Sequence, residues 1–184
     1  MSKEDKKKRI IEAAYIVFAK KGYINASIKD IANEANVAPG LVHYYFENKL
    51  EVLLSVQKHV QEQYHQLYKN KEVNSLSLHN ALEEIKTRAE TDPDWYRWRY
   101  EIYSLGLKSN DLQLEAAKIL KDGRDSLSLP IKKLGESNGD PEIFSSILLA
   151  CFDGLALQKI IDPTFDSDKA YQLLEDLFEV YLKK

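Results

Sequence analysis

Apolar residues in this chain recur at helical spacing from end to end, and no period-two alternation of useful length interrupts them. Over residues 3–21, Ile10, Ala14 and Phe18 repeat every four residues, and Ile11 and Val17 widen the stripe into one face of a helix. Gly22 supplies a stop. Ile28, Ile31, Ala32 and Ala35 then fall at i, i+3, i+4 and i+7, the apolar face of a short helix that Ser27 can cap through its hydroxyl. Asn36 suits a chain reversal. Pro39 fits the first turn of a second short helix, from which Val42 and Phe46 face inward. A longer helix follows from Lys49 to about Lys69, carrying Leu50, Leu53, Leu54, Val60, Tyr64 and Leu67. After an interruption over residues 70–77, the pattern predicts helices at about 77–91, 94–108, 111–134, 141–161 and 168–182. Asp92-Pro93, Ser109-Asn110, residues 135–139 and Asp162-Pro163 separate them, and Asp140-Pro141 and Asp166-Ser167-Asp168 read as helix starts. The expected fold is all-α, with about nine helices.

Two short helices cannot bury a core alone, so the first helix must cover them. The second short helix carries Tyr44 and Tyr45 on faces left over from packing, and Lys49 follows it. A major groove admits one helix between walls of phosphate, and such a helix suits it. The set Phe18, Gly22-Tyr23, Ser27, Ile31-Ala32, Ala35, Val37, Gly40, Tyr44, Phe46, Lys49 and Leu53 resembles the DNA-binding domain of the tetracycline-repressor-type (TetR) family of bacterial regulators. The matching positions run over about fifty residues, so they are specific. Beyond residue 60 the likeness is architectural only. It implies a helix–turn–helix domain at 1–48, a connector helix at 49–69, and a helical ligand-binding and dimerisation domain at 70–184.

By its place in that motif Lys29 should face a phosphate, with Ser27 beside it at a helix start that favours anions. Pro39, Gly40, Leu41 and His43 occupy the positions from which family members reach base edges. Gly40 allows close backbone approach, Leu41 stands where a small hydroxyl residue is common and could meet a thymine methyl, and His43 replaces a common tyrosine. Tyr44 and Lys49 are the expected phosphate contacts, with Tyr45 divided between packing and backbone contact. The run Lys6-Lys7-Lys8-Arg9 reads either as a solvated helix start or as an arm on the phosphate backbone.

In the body, Trp95, Trp98 and Ile102 share one helical face and Tyr96, Tyr100 and Tyr103 another. Bulky packing is one reading. A ligand cavity lined by Trp95, Trp98, Tyr100, Ile102, Tyr103 and Phe152 is the sharper one. Arg97, Arg99 and Glu101 read as surface ion pairs or as contacts to a charged ligand group. His59 and His79 read as lone histidines with a structural or solvent role. Ile147, Ala150, Cys151, Gly154 and Leu155 run along the eighth helix, and Leu174, Leu177, Phe178 and Tyr181 along the ninth. Both helices look too apolar for one wet face. In the family such helices form a four-helix bundle across a two-fold axis, so these nine residues are the expected dimer contacts. Closing the core of one chain is the alternative.

Charge adds one asymmetry. The whole chain carries −3, but residues 1–50 hold nine basic against six acidic groups, a surplus of three, which leaves −6 on the rest. A mildly basic front on an acidic trunk fits a DNA reader that binds through one end. Cys151 is the single cysteine, so there is no disulfide framework or thiol metal site, and no helical neighbour activates it. No window reaches eighteen apolar residues, and the basic start leads into no signal core, so a cytoplasmic protein without membrane attachment is expected. No catalytic constellation, metal-ligand spacing or phosphate loop is visible, and no cofactor is implied. The expectation is therefore a dimeric repressor that binds near-palindromic double-stranded DNA and is released by a small-molecule effector. A helical enzyme or carrier with a vestigial front, and an activator, stand as alternatives.

Overall fold

Local signals set the helix boundaries in the computed structural model, which describes residues 3–69, 78–134 and 140–182. Among these, every regular element is helical: α1 (Lys3–Asn25), α2 (Ile28–Glu34), α3 (Pro39–Tyr45), α4 (Lys49–Lys69), α5 (Leu78–Thr91), α6 (Pro93–Gly106), α7 (Asn110–Leu134), α8 (Pro141–Ile161) and α9 (Ser167–Leu182). The interruptions expected over residues 70–77 and 135–139 lie outside the described residues. Gly22 breaks α1 with a left-handed φ of 74° that a side chain would strain, and one further turn follows it. Pro39 and Pro141 sit in the first turns of α3 and α8, and the Asp140 carboxylate accepts from the Glu142 N–H (2.9 Å).

The chain gathers into two compact units. The first, called the head, comprises Met1–Asn70 and Arg97–Ser104; the second, the body, comprises Lys71–Tyr96 and Leu105–Lys184. A stretch of α6 therefore belongs with the head although its flanks belong with the body.

The head core is the stripe read in the sequence: Ile10, Ala14 and Phe18 of α1 close on Ile31 and Ala32 of α2, Val42 of α3, and Val52, Leu53 and Val56 of α4, all fully buried. Trp98 completes it. Its ring stacks on Phe18 (6.1 Å between centroids) and meets Tyr15 edge-on, and its indole N–H donates to Gln57 (3.3 Å).

In the body, α8 packs along α7 and is flanked by α5 and α9. Phe144, Leu148, Leu149, Phe152 and Ala156 of α8 are buried there with Tyr171, Leu174 and Phe178 of α9. Phe144 meets Phe178 edge-on at 4.7 Å. α5 is tied to α9 by Lys86–Asp168 (3.0 Å) and by His79 with Glu175 (2.9 Å), so His79 is not the lone histidine expected. By length and composition α8 is apolar enough to cross a membrane, which corrects the reading that nothing in the chain is, and 33% of its apolar window is buried.

At the α6–α7 corner, a Cβ on Gly106 would lie 2.6 Å from the Ala116 Cβ. Gly106→Ala should therefore lower stability by about 1–3 kcal/mol in urea unfolding, and Ala116→Gly in the same chain should recover much of the loss.

Candidate nucleic-acid interface

The turn between α2 and α3 is built from the backbone outward. Asn36 takes a left-handed φ of 48°, its N–H donates to the Asn33 carbonyl (3.0 Å), and the Val37 N–H donates to the Ala32 carbonyl (2.9 Å). The Arg9 guanidinium reaches across from α1 and donates to the Asn36 carbonyl (2.9 Å). Arg9 is thus the clamp of this turn, a role that the basic run at the start of the chain did not reveal.

α3 leaves Pro39, Gly40, His43 and Tyr44 exposed, with Leu41 and Tyr45 half-buried. Tyr44 is 64% exposed. No atom lies within 4 Å of the place where a Gly40 side chain would begin, so that face is open to another backbone. The Tyr45 hydroxyl donates to the Lys3 carbonyl (3.0 Å), which commits it to packing within the head. Lys29 is exposed on α2.

Two of the expected phosphate contacts, Ser27 and Lys49, also bond within the head. The Ser27 hydroxyl donates to an Asp30 carboxylate oxygen (2.6 Å) and accepts from the Asp30 N–H (3.1 Å), while the same carboxylate accepts from the Ser27 N–H (2.9 Å). This reciprocal cap closes the start of α2 and sets a carboxylate where an anion was expected. The Lys49 ammonium has three protons to give, and it donates to the carbonyls of Tyr23 (2.7 Å), Ala26 (2.9 Å) and Ile24 (3.4 Å), above the Tyr23 ring at 4.5 Å. Lys49 is half-buried and closes the end of α1. On the other side of the same residue, Glu101 of α6 accepts from the Tyr23 N–H (2.5 Å).

The expected ligand residues are divided between the two units. Trp98, Tyr100, Ile102 and Tyr103 belong to the head, and Trp95 and Phe152 to the body. Trp98 is head core, because Phe18 needed a cover. Arg99 is buried with its guanidinium 5.1 Å from the Tyr103 ring, and Arg88 lies over Trp95 at 4.9 Å.

The expected dimer residues also divide. Leu174 and Phe178 are buried inside the body and are corrected to core. Ile147 (54% exposed), Leu177 (60%) and Tyr181 (47%) face outward, Ala150 is exposed, and Cys151, Gly154 and Leu155 are half-buried. Burial holds the Cys151 thiol above its ordinary pKa, so it stays protonated.

The Lys21 ammonium beside Asp30 (2.6 Å), with the Ser27 hydroxyl and N–H, holds the Asp30 carboxyl well below the usual carboxylate range. The folded head binds that proton less readily than the unfolded chain does. The resulting stabilisation is complete above about pH 4, the ordinary carboxyl value, and is lost as pH falls from there toward the depressed folded value.

This head, a trihelical unit with a helix–turn–helix and an open second helix, is that of a DNA-binding transcriptional regulator. The sequence model described as bacterial regulatory proteins, tetR family, matches residues 10–56. The HTH-type transcriptional regulator PksA of Bacillus subtilis (strain 168) is 30% identical over 166 residues, covering 87% of this chain and 81% of that one. The chain belongs to the tetR family. Solved structures at lower identity share its fold. FadR of Bacillus subtilis in complex with stearoyl-CoA has a TM-score of 0.72 at 21% identity, covering 91% of this chain and 96% of that one. A regulator from Saccharomonospora viridis in complex with choline has a TM-score of 0.73 at 21% identity, covering 96% and 97%.

Asp30→Asn should flatten the acid limb of a stability-against-pH curve measured by thermal melting between about pH 2 and pH 6, the range spanning the ordinary carboxyl pKa. Lys21→Met should do the same in part, since the ammonium is the largest cause of the depression.

Proposed function

We propose that this regulator is a homodimeric repressor whose two α3 helices enter successive major grooves of a near-palindromic operator. The observation that carries the dimer is a pair of uncovered apolar seams. On α8, Ile143, Ile147, Ala150, Gly154, Leu157 and Ile161 follow one another at alternating steps of four and three, and the four large members are exposed. On α9, Leu173, Leu177 and Val180 follow the same rhythm, also exposed. Steps of four and three are the spacing of helices that pack lengthwise against partners. Ala150 and Gly154 put small residues at the middle of the α8 seam and permit close approach. A membrane is the weaker occupant of this face: α7 and α9 pack on α8 and carry charged residues along their length, and a lone span would draw them into hydrocarbon.

In a dimer, half-sites sit about 34–36 Å apart, one turn of duplex. Pro39, Gly40, Leu41, His43 and Tyr44 are the residues assigned to DNA, with Lys29 on the adjacent backbone. Functionally, residues 1–48 read DNA, 49–69 connect, and 70–184 bind the effector and the second subunit. Binding draws on phosphate contacts and falls with salt. The protein works in the cytoplasm, with no enzymatic activity and no resident cofactor.

The effector is a small apolar or cationic molecule taken up by the body. The body is acidic, and the Tyr171 hydroxyl is buried there without a hydrogen-bond partner among the described residues. Relatives of this fold hold a fatty acyl thioester in one case and a quaternary ammonium in the other. An effector that binds the released conformer about 100-fold better than the DNA-binding one supplies about 2.7 kcal/mol toward release.

Selection from a random-sequence pool followed by gel shift tests the DNA reading and should return a two-fold symmetric site. Ile147→Glu with Leu177→Glu should convert the protein to a folded monomer in sedimentation and weaken binding to the selected duplex by about 100-fold or more, as the second half-site no longer adds avidity. A folded dimer carrying both glutamates would refute the assigned interface. Unchanged affinity for the duplex across a panel of acyl thioesters and quaternary amines, each saturating by thermal shift, would refute the release mechanism.

A further inference from the structure

Lys3, Lys7, Ile10 and Ala14 are spaced i, i+4, i+7 and i+11, so they lie along one face of α1. Ile10 and Ala14 on that face are fully buried beneath the helix–turn–helix. Lys3 and Lys7 continue the same line past the edge of the core, where long cationic side chains lay their stems on apolar surface and keep the charge in water. The Lys3 ammonium stands 5.1 Å from the centroid of the Tyr44 ring, and the Lys7 ammonium 5.3 Å from that of Phe46. The Tyr45 hydroxyl, bonded to the Lys3 carbonyl at 3.0 Å, fixes the first turn of α1 against the end of α3. Both lysines are exposed, and Tyr44 shares the open side of α3 with Gly40 and His43.

We propose that Lys3 and Lys7 are phosphate contacts beside the recognition helix. This rests on the DNA-binding reading of the head. A helix in the major groove has phosphates along both sides. Charges held at the edge of that helix meet a phosphate without having to be ordered first, because the rings already restrict them. The ring attraction at an exposed site is weak enough to yield to a phosphate. The Tyr44 hydroxyl raises the proton affinity of Lys3, so the ammonium is fully charged at neutral pH. Such phosphate contacts fix orientation on the duplex and carry no base preference.

The experiment is an anisotropy titration of the full chain against the duplex that it enriches from a random pool, and against one unrelated duplex, over a series of KCl concentrations. Lys3→Met and Lys7→Met keep the stems over the rings and remove only the charge; Lys3→Gln and Lys7→Gln are a second neutral pair should either methionine variant melt early. In a dimer each substitution removes one contact per head. The slope of log affinity against log salt should then become shallower by about 1.8 for each and about 3.6 for both together, on either duplex. Lys3→Arg and Lys7→Arg should keep the wild-type slope, as should Lys8→Met, whose charge faces Glu12 at 3.7 Å. Wild-type slopes in folded Lys3 and Lys7 variants would overturn the assignment. If the wild-type chain enriches no duplex, the DNA reading itself falls and this assignment falls with it.

Discussion

The head depends on how the backbone of one residue, Tyr23, is held on both sides near the end of α1. A helix that ends leaves carbonyls without donors, and a left-handed Gly22 turns the chain before its own backbone can supply them all. Here the donor is the ammonium of Lys49, the first residue of α4, and the Tyr23 N–H is taken by the Glu101 carboxylate of α6. Both are charge-assisted bonds, stronger than neutral ones. Because Lys49 begins α4 four residues after α3 ends, the same contact that finishes α1 fixes the exit of the recognition helix. Gly22 is required twice over. Its φ suits glycine, and a Cβ there would lie 3.3 Å from the Glu101 carboxylate oxygen.

The body solves a different problem. α8 is apolar nearly all round, and a helix of that kind is either wholly covered or waiting to be. One side of it is covered, with Phe144, Leu148 and Phe152 buried. The other presents branched aliphatics in a straight line, and α9 repeats the arrangement, with Tyr171, Leu174 and Phe178 inward and Leu173, Leu177 and Val180 outward. Helices with two apolar faces well over a quarter turn apart belong between two layers.

Much of this was legible in the chain. The α1 stripe, the Ser27 cap, the Asn36 reversal and Pro39 at the start of α3 are local signals, and each stands where spacing put it. What spacing could not convey is direction. Leu174 and Leu177 are both apolar residues of one amphipathic helix, and only the neighbour decides that the first is core and the second surface. Trp98 belongs to a segment that reads as body yet sits beneath Phe18, 80 residues away in sequence. The Glu101 contact to Tyr23 joins residues 78 apart, and no local pattern carries a pairing of that reach. Lys49 has the residue type of a phosphate ligand, and only the position of three carbonyls shows its other use. The line from Lys3 through Lys7 to the buried Ile10 was available in the spacing, masked because Lys7 stands within a run of four basic residues.

The place of α6 has a consequence for anyone who would dissect the molecule. Arg97–Ser104 is counted with the head, so cutting the chain after α4 removes the indole over Phe18 and the carboxylate on Tyr23 together. The excised front half would expose a large aromatic surface and lose a clamp at the corner that orients α3. The DNA-reading part of this protein is discontinuous in sequence, and the piece it borrows comes from the middle of a helix whose two ends are rooted elsewhere.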